Sequence, residues 1–339
     1  MVMATDINRP PTDSLGMRHW KALLYVLSVV FPTILRTRHR PVIFNRESGM
    51  GDIICTIPAA KELRKRHPGA TFLYNCHADF AAVPKLAGVA DRVTSCKHIG
   101  LVGYWYRFLL AGFYHFAHGD DTPGQVAREP MVMEFCRQFN VPVATRHPEL
   151  HTPPDTRERA RSLLAEKKLD SGPLILLHTG PSWPVKEWPV ENWTALVSGL
   201  HHHGFDCIAQ LGVNRYLIFD KVNLGLVPDT VSLIGELSLE ECIALISQAS
   251  LFIGIDSGLL HIAASTRTPS VGIFGSTQPK FFYTEDENCS FAFSSVECAG
   301  CYHRRPLLHW HTNCPHDILC MKSIPVDAVL DACLKKLVA

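Results

Sequence analysis

Asp256-Ser257-Gly258-Leu259-Leu260-His261-Ile262-Ala263-Ala264 is the stretch on which the fold turns. Ahead of it lies an apolar run over residues 251–255, which reads as a buried strand. After Gly258, residues 259–265 read as a helix and 270–274 as the next strand. Strand, turn, helix and strand make one βαβ unit, and the junction between strand and helix is where such units bind ligands.

The alternation continues outward in the upstream direction. Residues 173–178, 205–211 and 231–234 read as strands, with helices over 188–203 and 239–248, and a charged helix over 157–168 comes before them. Residues 147–156 carry three prolines and read as a linker. Before the linker, residues 41–45, 71–74 and 92–94 read as strands. Residues 52–66 read as a helix with Ile53, Ile54, Ile57, Ala60 and Leu63 near one face. Residues 101–118, rich in aromatics, and 126–139 read as further helices, and residues 1–17 as unstructured. Two successive βαβ series imply an α/β protein of two doubly wound, Rossmann-like domains facing a central cleft. The expected division is residues 41–155, residues 156–339 and an N-terminal extension over 1–40. The cleft between the domains is the default active site.

Composition agrees with a packed, two-domain chain. There are 339 residues, at roughly 100–200 per domain. Hydrophobic residues make up 47% and charged residues 19%, which excludes global disorder. A net charge of +1 excludes the broad basic field of a nucleic-acid binder, so phosphate recognition has to be local. Twelve cysteines without a signal-peptide pattern point to a reducing, cytoplasmic compartment rather than a disulfide framework. Near the N-terminus, residues 22–31 are strongly apolar, preceded by Arg18, His19 and Lys21 and followed by Arg36, Arg38 and Arg40. About ten such residues are fewer than the roughly 20 that span a bilayer. The run reads as a short helix, packed on the N-terminal domain or touching a membrane surface peripherally.

Three motifs follow strands. In Ser48-Gly49-Met50-Gly51-Asp52, two glycines let the backbone turn tightly and approach a ligand. Asp52 reads locally as a helix N-cap and functionally as a carboxylate that takes a proton from an attacking hydroxyl. The segment 178–189 holds Ser182 and Lys186 near a helix start, a hydroxyl and an ammonium suited to phosphate. At Asp256-Ser257-Gly258, backbone N–H groups at the helix start suit a diphosphate, Asp256 suits sugar hydroxyls, and His261 lies one turn further on. The plainer reading there is a capped helix with a partly buried histidine.

A fourth group is Cys298-Ala299-Gly300-Cys301 with Cys314 and Cys320, among His303, His309, His311 and His316. C-x-x-C gives one edge of a metal site, and two later thiolates can complete a tetrahedral one. The reading is either four reduced cysteines or a structural zinc or iron that ties down a loop with little core of its own.

Taken together, the first three motifs resemble glycosyltransferase family 9, the ADP-heptose-dependent heptosyltransferases of lipopolysaccharide assembly. The resemblance runs from about residue 41 to 335 and rests on motifs in order. They are Gly51-Asp52 with Pro58, Arg64 and His67-Pro68; Lys186 ahead of Trp188-Pro189; and Asp256-Ser257-Gly258 with His261, Pro269 and Phe274-Gly275-Ser276-Thr277. The cysteine cluster also resembles one found in many members. The resemblance implies a GT-B fold, an acceptor on the N-terminal domain and a nucleotide sugar on the C-terminal one. It implies inverting transfer with no cofactor required for catalysis. On the matching positions Asp52 is the base, with Gly49 and Gly51 in the acceptor-side loop. Lys186, Ser182 and the N–H groups of Ser257 and Gly258 hold the diphosphate, and Asp256 orients the sugar. The implied partners are an ADP-heptose-like donor and a lipopolysaccharide or related glycan acceptor, met at the inner face of the cytoplasmic membrane.

The sequence departs from the family after residue 211. Gly212-Val213-Asn214-Arg215-Tyr216 lacks the Glu that many members use on the nucleoside or sugar, which leaves the donor open. From the residues alone, a nucleotide-sugar epimerase of the same fold and a non-catalytic nucleotide-sugar-binding protein also stay open.

Overall fold

The computed structural model describes residues 14–47, 49–117, 129–180, 182–213, 215–216, 221–222, 225–282, 288–304 and 314–338. The chain opens with a continuous helical segment of 23 residues: α1 (Leu15–Tyr25), a π-helical turn (Val26–Val30) and α2 (Phe31–Thr37). Residues 15–17, expected to be unstructured, are helical, while residues 1–13 of that expectation lie outside the described residues, and the helix is longer than the ten-residue apolar run expected. Ser14 caps the helix through its hydroxyl, and Arg38 ends it in the left-handed region at φ 58°.

The first sheet has four strands: β1 (Val42–Asn45), β2 (Phe72–Asn75), β3 (Arg92–Thr94) and β4 (Gly112–His115). All pair in parallel, in the order β3-β2-β1-β4. Helices α3 (Met50–Lys65), α4 (Ala82–Leu86), α5 (Ile99–Trp105) and α6 (Met131–Gln138) complete this half. The helix expected over 101–118 is not there. α5 stops at Trp105, a 3₁₀ turn covers Arg107–Leu109, and the chain then becomes β4, with Gly112 opposite Val42 and His115 opposite Asn45. The reason lies in β1, which is fully buried. Its second edge needs a partner for its N–H and C=O groups, and only β4 supplies one. The helix expected over 126–139 begins at Met131, after Pro130; residues 126–128 lie outside the described set.

The second sheet has six parallel strands in the order β12-β11-β10-β5-β6-β9. They are β5 (Ile175–His178), β6 (Ile208–Gln210), β9 (Val231–Ser232), β10 (Leu251–Ile255), β11 (Ser270–Phe274) and β12 (Cys289–Phe293). A small antiparallel pair, β7 (Arg215–Tyr216) and β8 (Lys221–Val222), stands apart. Helices α7 (Pro154–Glu166), α8 (Val190–His202), α9 (Leu239–Ile246) and α10 (Gly258–Ser265) connect the strands. The chain closes with the short α11 (Pro279–Phe282), α12 (Cys301–Arg304) and α13 (Leu319–Lys322), then α14 (Val326–Val338). Neither β12 nor α14 was anticipated. α14 packs on α8, where Gly199 leaves room for Leu330.

One apolar cluster runs through both halves, joining Phe44, Ile53 and Phe116 to Leu176, Phe252 and Leu260. The halves meet where α3 packs on α10, and Leu150 N–H donates to the Ser265 carbonyl at 3.2 Å. A second cluster, with Trp188, Trp193 and Val329, fills the outer side of the larger sheet. A third lies under the N-terminal helix, where Val26, Val29 and Val30 meet Ile43, Leu73 and Ile99.

Candidate active site

The predicted site residues lie just beyond the carboxyl ends of parallel strands, where the open backbone groups of such sheets meet ligands. β1 leads to Asp52, β5 to Ser182 and Lys186, β10 to Asp256, and β11 to Thr277.

Asp52 sits in the first turn of α3 and does not cap the helix. The N-cap is Gly49 at φ 78°, and no side chain closes the cap. The Asp52 carboxylate instead pairs with Arg46, and the Asp52 side chain is about a quarter exposed. Arg46 is buried at 6% exposure and also donates from Nη1 to the Phe116 carbonyl at 3.1 Å. A carboxylate clamped by a buried guanidinium on one side and open on the other is a positioned proton acceptor. Gly49 makes this possible, because a Cβ there would collide with the Asp52 carboxylate at 2.5 Å.

On the other domain, Lys186 Nζ lies 2.7 Å from Asp256 Oδ2. Thr277 Oγ1 donates to the same oxygen at 2.7 Å, and the ammonium stands 4.0 Å from the centre of the Trp183 ring. Burial works against ionisation of Asp256, but the Lys186 ammonium, then His261 and the Thr277 hydroxyl, outweigh it and hold the carboxyl below its usual range. Asp256 thus holds Lys186 in this structure through the ion pair. Lys186 rides on a 3₁₀ turn (Pro184–Lys186), and the following helix starts only at Val190, later than expected. Ser182 N–H donates to Glu187 Oε1 at 2.9 Å. Ser257 is the N-cap of α10 and makes no side-chain cap bond; the buried Ser257 Oγ and Ser276 Oγ have no hydrogen-bond partner.

His261 joins the two sides. It is buried at 6% exposure, and burial lowers its pKa to about 4 against the pull of both Asp256 and Asp52. The neutral ring therefore lies within the fields of one carboxylate from each domain. Its Nδ1 is 3.7 Å from Cys55 Sγ on α3. Gly51 is the reason the ring fits, since a Cβ there would meet His261 Nε2 at 2.6 Å. Gly258 similarly makes room for Met50. Arg46, Cys55 and Glu187 were not singled out from sequence, and Thr277 entered only as the end of the motif Phe274-Gly275-Ser276-Thr277, with no role given. Arg46 carried a usable signal: a charged residue directly after the strand Val42–Asn45 and six positions before Asp52.

The cysteine group is only partly assembled. Cys320 is pushed up to about 12, first by burial and then by the neighbouring thiols of Cys298, Cys301 and Cys314, so the four share one neighbourhood. Among the described residues no set of three or more His, Cys, Asp or Glu side chains is arranged to hold a metal. His309 and His311 lie outside the described residues.

Two facing parallel-sheet domains make a GT-B fold, here with an acidic residue on one domain and a buried lysine at the strand ends of the other. A family model described as glycosyltransferase family 9 (heptosyltransferase) matches residues 85–311. The chain belongs to glycosyltransferase family 9 and is a glycosyltransferase. Lipopolysaccharide heptosyltransferase 1 of Pseudomonas aeruginosa is 24% identical over 314 residues, covering 77% of this chain and 85% of that protein. Among solved structures, Escherichia coli ADP-heptose lipopolysaccharide heptosyltransferase II superposes with a TM-score of 0.62 at 15% identity, over 88% of this chain and 99% of that one. The iron-containing dodecameric glycosyltransferase TibC of enterotoxigenic Escherichia coli superposes with a TM-score of 0.65 at 19% identity, over 88% of this chain and 79% of that one.

Proposed function

We propose that the enzyme transfers a heptose, with inversion, from an ADP-heptose-like donor to a lipopolysaccharide or related glycan acceptor at the inner face of the cytoplasmic membrane. The observation that carries this reading is the meeting of the two domains at the buried His261, whose ring packs against Gly51 beside Asp52 on one side while its own domain supplies the Lys186–Asp256 pair. In-line displacement needs a base on the acceptor side and a cation on the leaving diphosphate, and these groups supply both. Asp52 accepts the acceptor hydroxyl proton as that oxygen attacks the sugar C1, and the bond from C1 to the diphosphate oxygen breaks. Arg46 holds the Asp52 carboxylate in place through their ion pair. Lys186, the Ser182 hydroxyl and the N–H groups of Ser257 and Gly258 take the charge that develops on the departing diphosphate. Asp256 holds Lys186 in place through the same ion pair. Residues 41–155 carry the acceptor side and 156–339 the donor side. Heptose as the transferred sugar is supported by the family's description as heptosyltransferase and by relatives named as heptosyltransferases.

The test is a donor screen by thermal shift with ADP-heptose and UDP-, GDP- and other ADP-sugars, followed by product analysis with a soluble acceptor. A rise in melting temperature only with ADP-heptose, and an acceptor product of inverted anomeric configuration, are the expected results. Release of a free sugar or epimer from donor alone would overturn the transferase reading.

The four clustered cysteines are proposed to hold a structural zinc or iron through Cys298, Cys301, Cys314 and Cys320. The proposal is supported by their shared neighbourhood and by the description of TibC as iron-containing. Such an ion would tie the segment around α12 and α13 together and take no part in transfer.

A further inference from the structure

We infer that the outer face of the N-terminal helix, together with the end of α5 and the 3₁₀ turn after it, is a docking surface for an anionic phospholipid bilayer, with the helix lying flat in the headgroup layer. The segment Leu15–Thr37 has two opposite apolar faces. One is packed: Ala22, Val26, Val29 and Thr33 are buried, and Tyr25 Oη bonds Thr94 Oγ1 at 3.1 Å. The other, at spacings of four, three, four and four, is open: Trp20 (55% exposed), Leu24 (43%), Leu27 (56%), Phe31 (46%) and Leu35 (68%). The end of α5 and the 3₁₀ turn after it add Tyr104 at 76%, Trp105 at 55% and Phe108 at 66% exposure, and the Trp105 ring lies 6.0 Å from that of His19. Open patches of this extent on a soluble protein mark interaction surfaces.

Charge selects the occupant. Neither residues 14–46 nor residues 92–117 contain a single Asp or Glu, in a chain that has 32 of them and a net charge of only +1. Lys21, Arg36, Arg38, Arg40, Lys97 and Arg107 are exposed in those same two segments. Exposed tryptophans on an apolar stripe bordered by bases match the boundary of an anionic leaflet. A second copy of the same surface would set like charge against like. The segment is long and apolar enough to cross a bilayer, but crossing would strip its packed face from Ile43, Leu73 and Ile99.

The inference rests on a surface remote from the transfer chemistry, so its test uses no donor. The full chain is sedimented with vesicles of phosphatidylcholine, with and without phosphatidylglycerol, at low and high salt. Binding should favour the anionic vesicles and weaken with salt. The Leu24→Glu, Leu27→Glu, Phe31→Glu variant should keep its melting temperature and bind anionic vesicles at least about tenfold more weakly. The pair Trp105→Ser and Phe108→Ser, off the helix, should weaken binding in the same direction. No preference for anionic vesicles would overturn the inference. So would a salt-stable dimer of the wild-type chain that the triple variant dissociates, which would mean that a second copy covers the face. Resistance to alkaline carbonate extraction would mean a spanning helix and would overturn it as well. Transfer to a soluble acceptor without vesicles should be equal in wild type and variants, and its absence in all of them would count against the proposed reaction only.

Discussion

The ammonium of Lys186 and the carboxylate of Asp256 form an ion pair of 2.7 Å at the carboxyl ends of two neighbouring strands, with side-chain exposures of 12% and 4%. Two charges this deep are held by each other, by Thr277 and by the Trp183 ring. Removing one leaves the other unpaired in a poorly solvated place.

Lys186→Met should therefore cost about 3–5 kcal/mol of stability, because it strands the Asp256 charge. Asp256→Leu combined with Lys186→Met should recover much of that loss, yet donor binding should stay absent. Chemical denaturation and donor titration calorimetry separate the two effects. Recovery of donor affinity in the double variant would remove Lys186 from the diphosphate site.

Asp52→Ala should abolish the proton transfer that accompanies attack, a loss of about 10²–10⁴ in turnover. Donor affinity should change little, since Asp52 belongs to the opposite domain. Single-turnover rates measured beside donor binding decide this, and an active Asp52→Ala enzyme would end the base assignment. Arg46→Met should lower turnover as well, because the carboxylate loses the guanidinium that positions it.

Acid should destabilise the fold through two histidines. Burial lowers both His178 and His261 to about 4. Between there and the unfolded value of about 6.5, the unfolded chain binds more protons than the native one, so stability falls as pH falls. Each ring should contribute a slope of about 1.4 kcal/mol per pH unit in that window. Their contribution is fully present above about pH 6.5. Denaturation midpoints from pH 7 to pH 4.5 should show the decline, and His178→Gln should flatten it.

Gly51→Ala tests the junction between the domains. Inside a helix, Gly to Ala ordinarily stabilises by about 1 kcal/mol. Here the added methyl meets the buried His261 ring, so the sign should reverse and the domains should part. Small-angle scattering should show a larger radius of gyration, with slower turnover. Gly258→Ala meets the end of the flexible Met50 side chain as well as its Cβ at 3.0 Å, and should be milder.

If the cysteine group holds an ion, purified protein should contain about one equivalent of zinc or iron, bound by four thiolates. Chelation should lower the melting temperature, as should Cys298→Ser, without changing the rate of transfer per folded molecule. Metal-free protein of unchanged stability would leave four reduced thiols.

The sequence by itself determined the two βαβ series and the positions of Asp52, Lys186 and Asp256 at strand ends. Those features are local: an apolar run, a glycine turn and a helix start lie within about a dozen residues of one another. It also located the apolar N-terminal stretch, but underestimated the helix, because residues such as Trp20 and Leu35 sit outside the densest apolar window and join it only through helical spacing. Tertiary structure alone decided that residues 112–115 form a strand, since the unmet edge of β1 overrides the aromatic run's local preference. It alone decided that Asp52 takes Arg46 rather than a cap, and that Asp256 anchors Lys186 across 70 residues of chain. Those partners are set by where parallel strands end in space. Sequence separation carries no trace of that, because the order of strands in the sheet is not the order of strands in the chain.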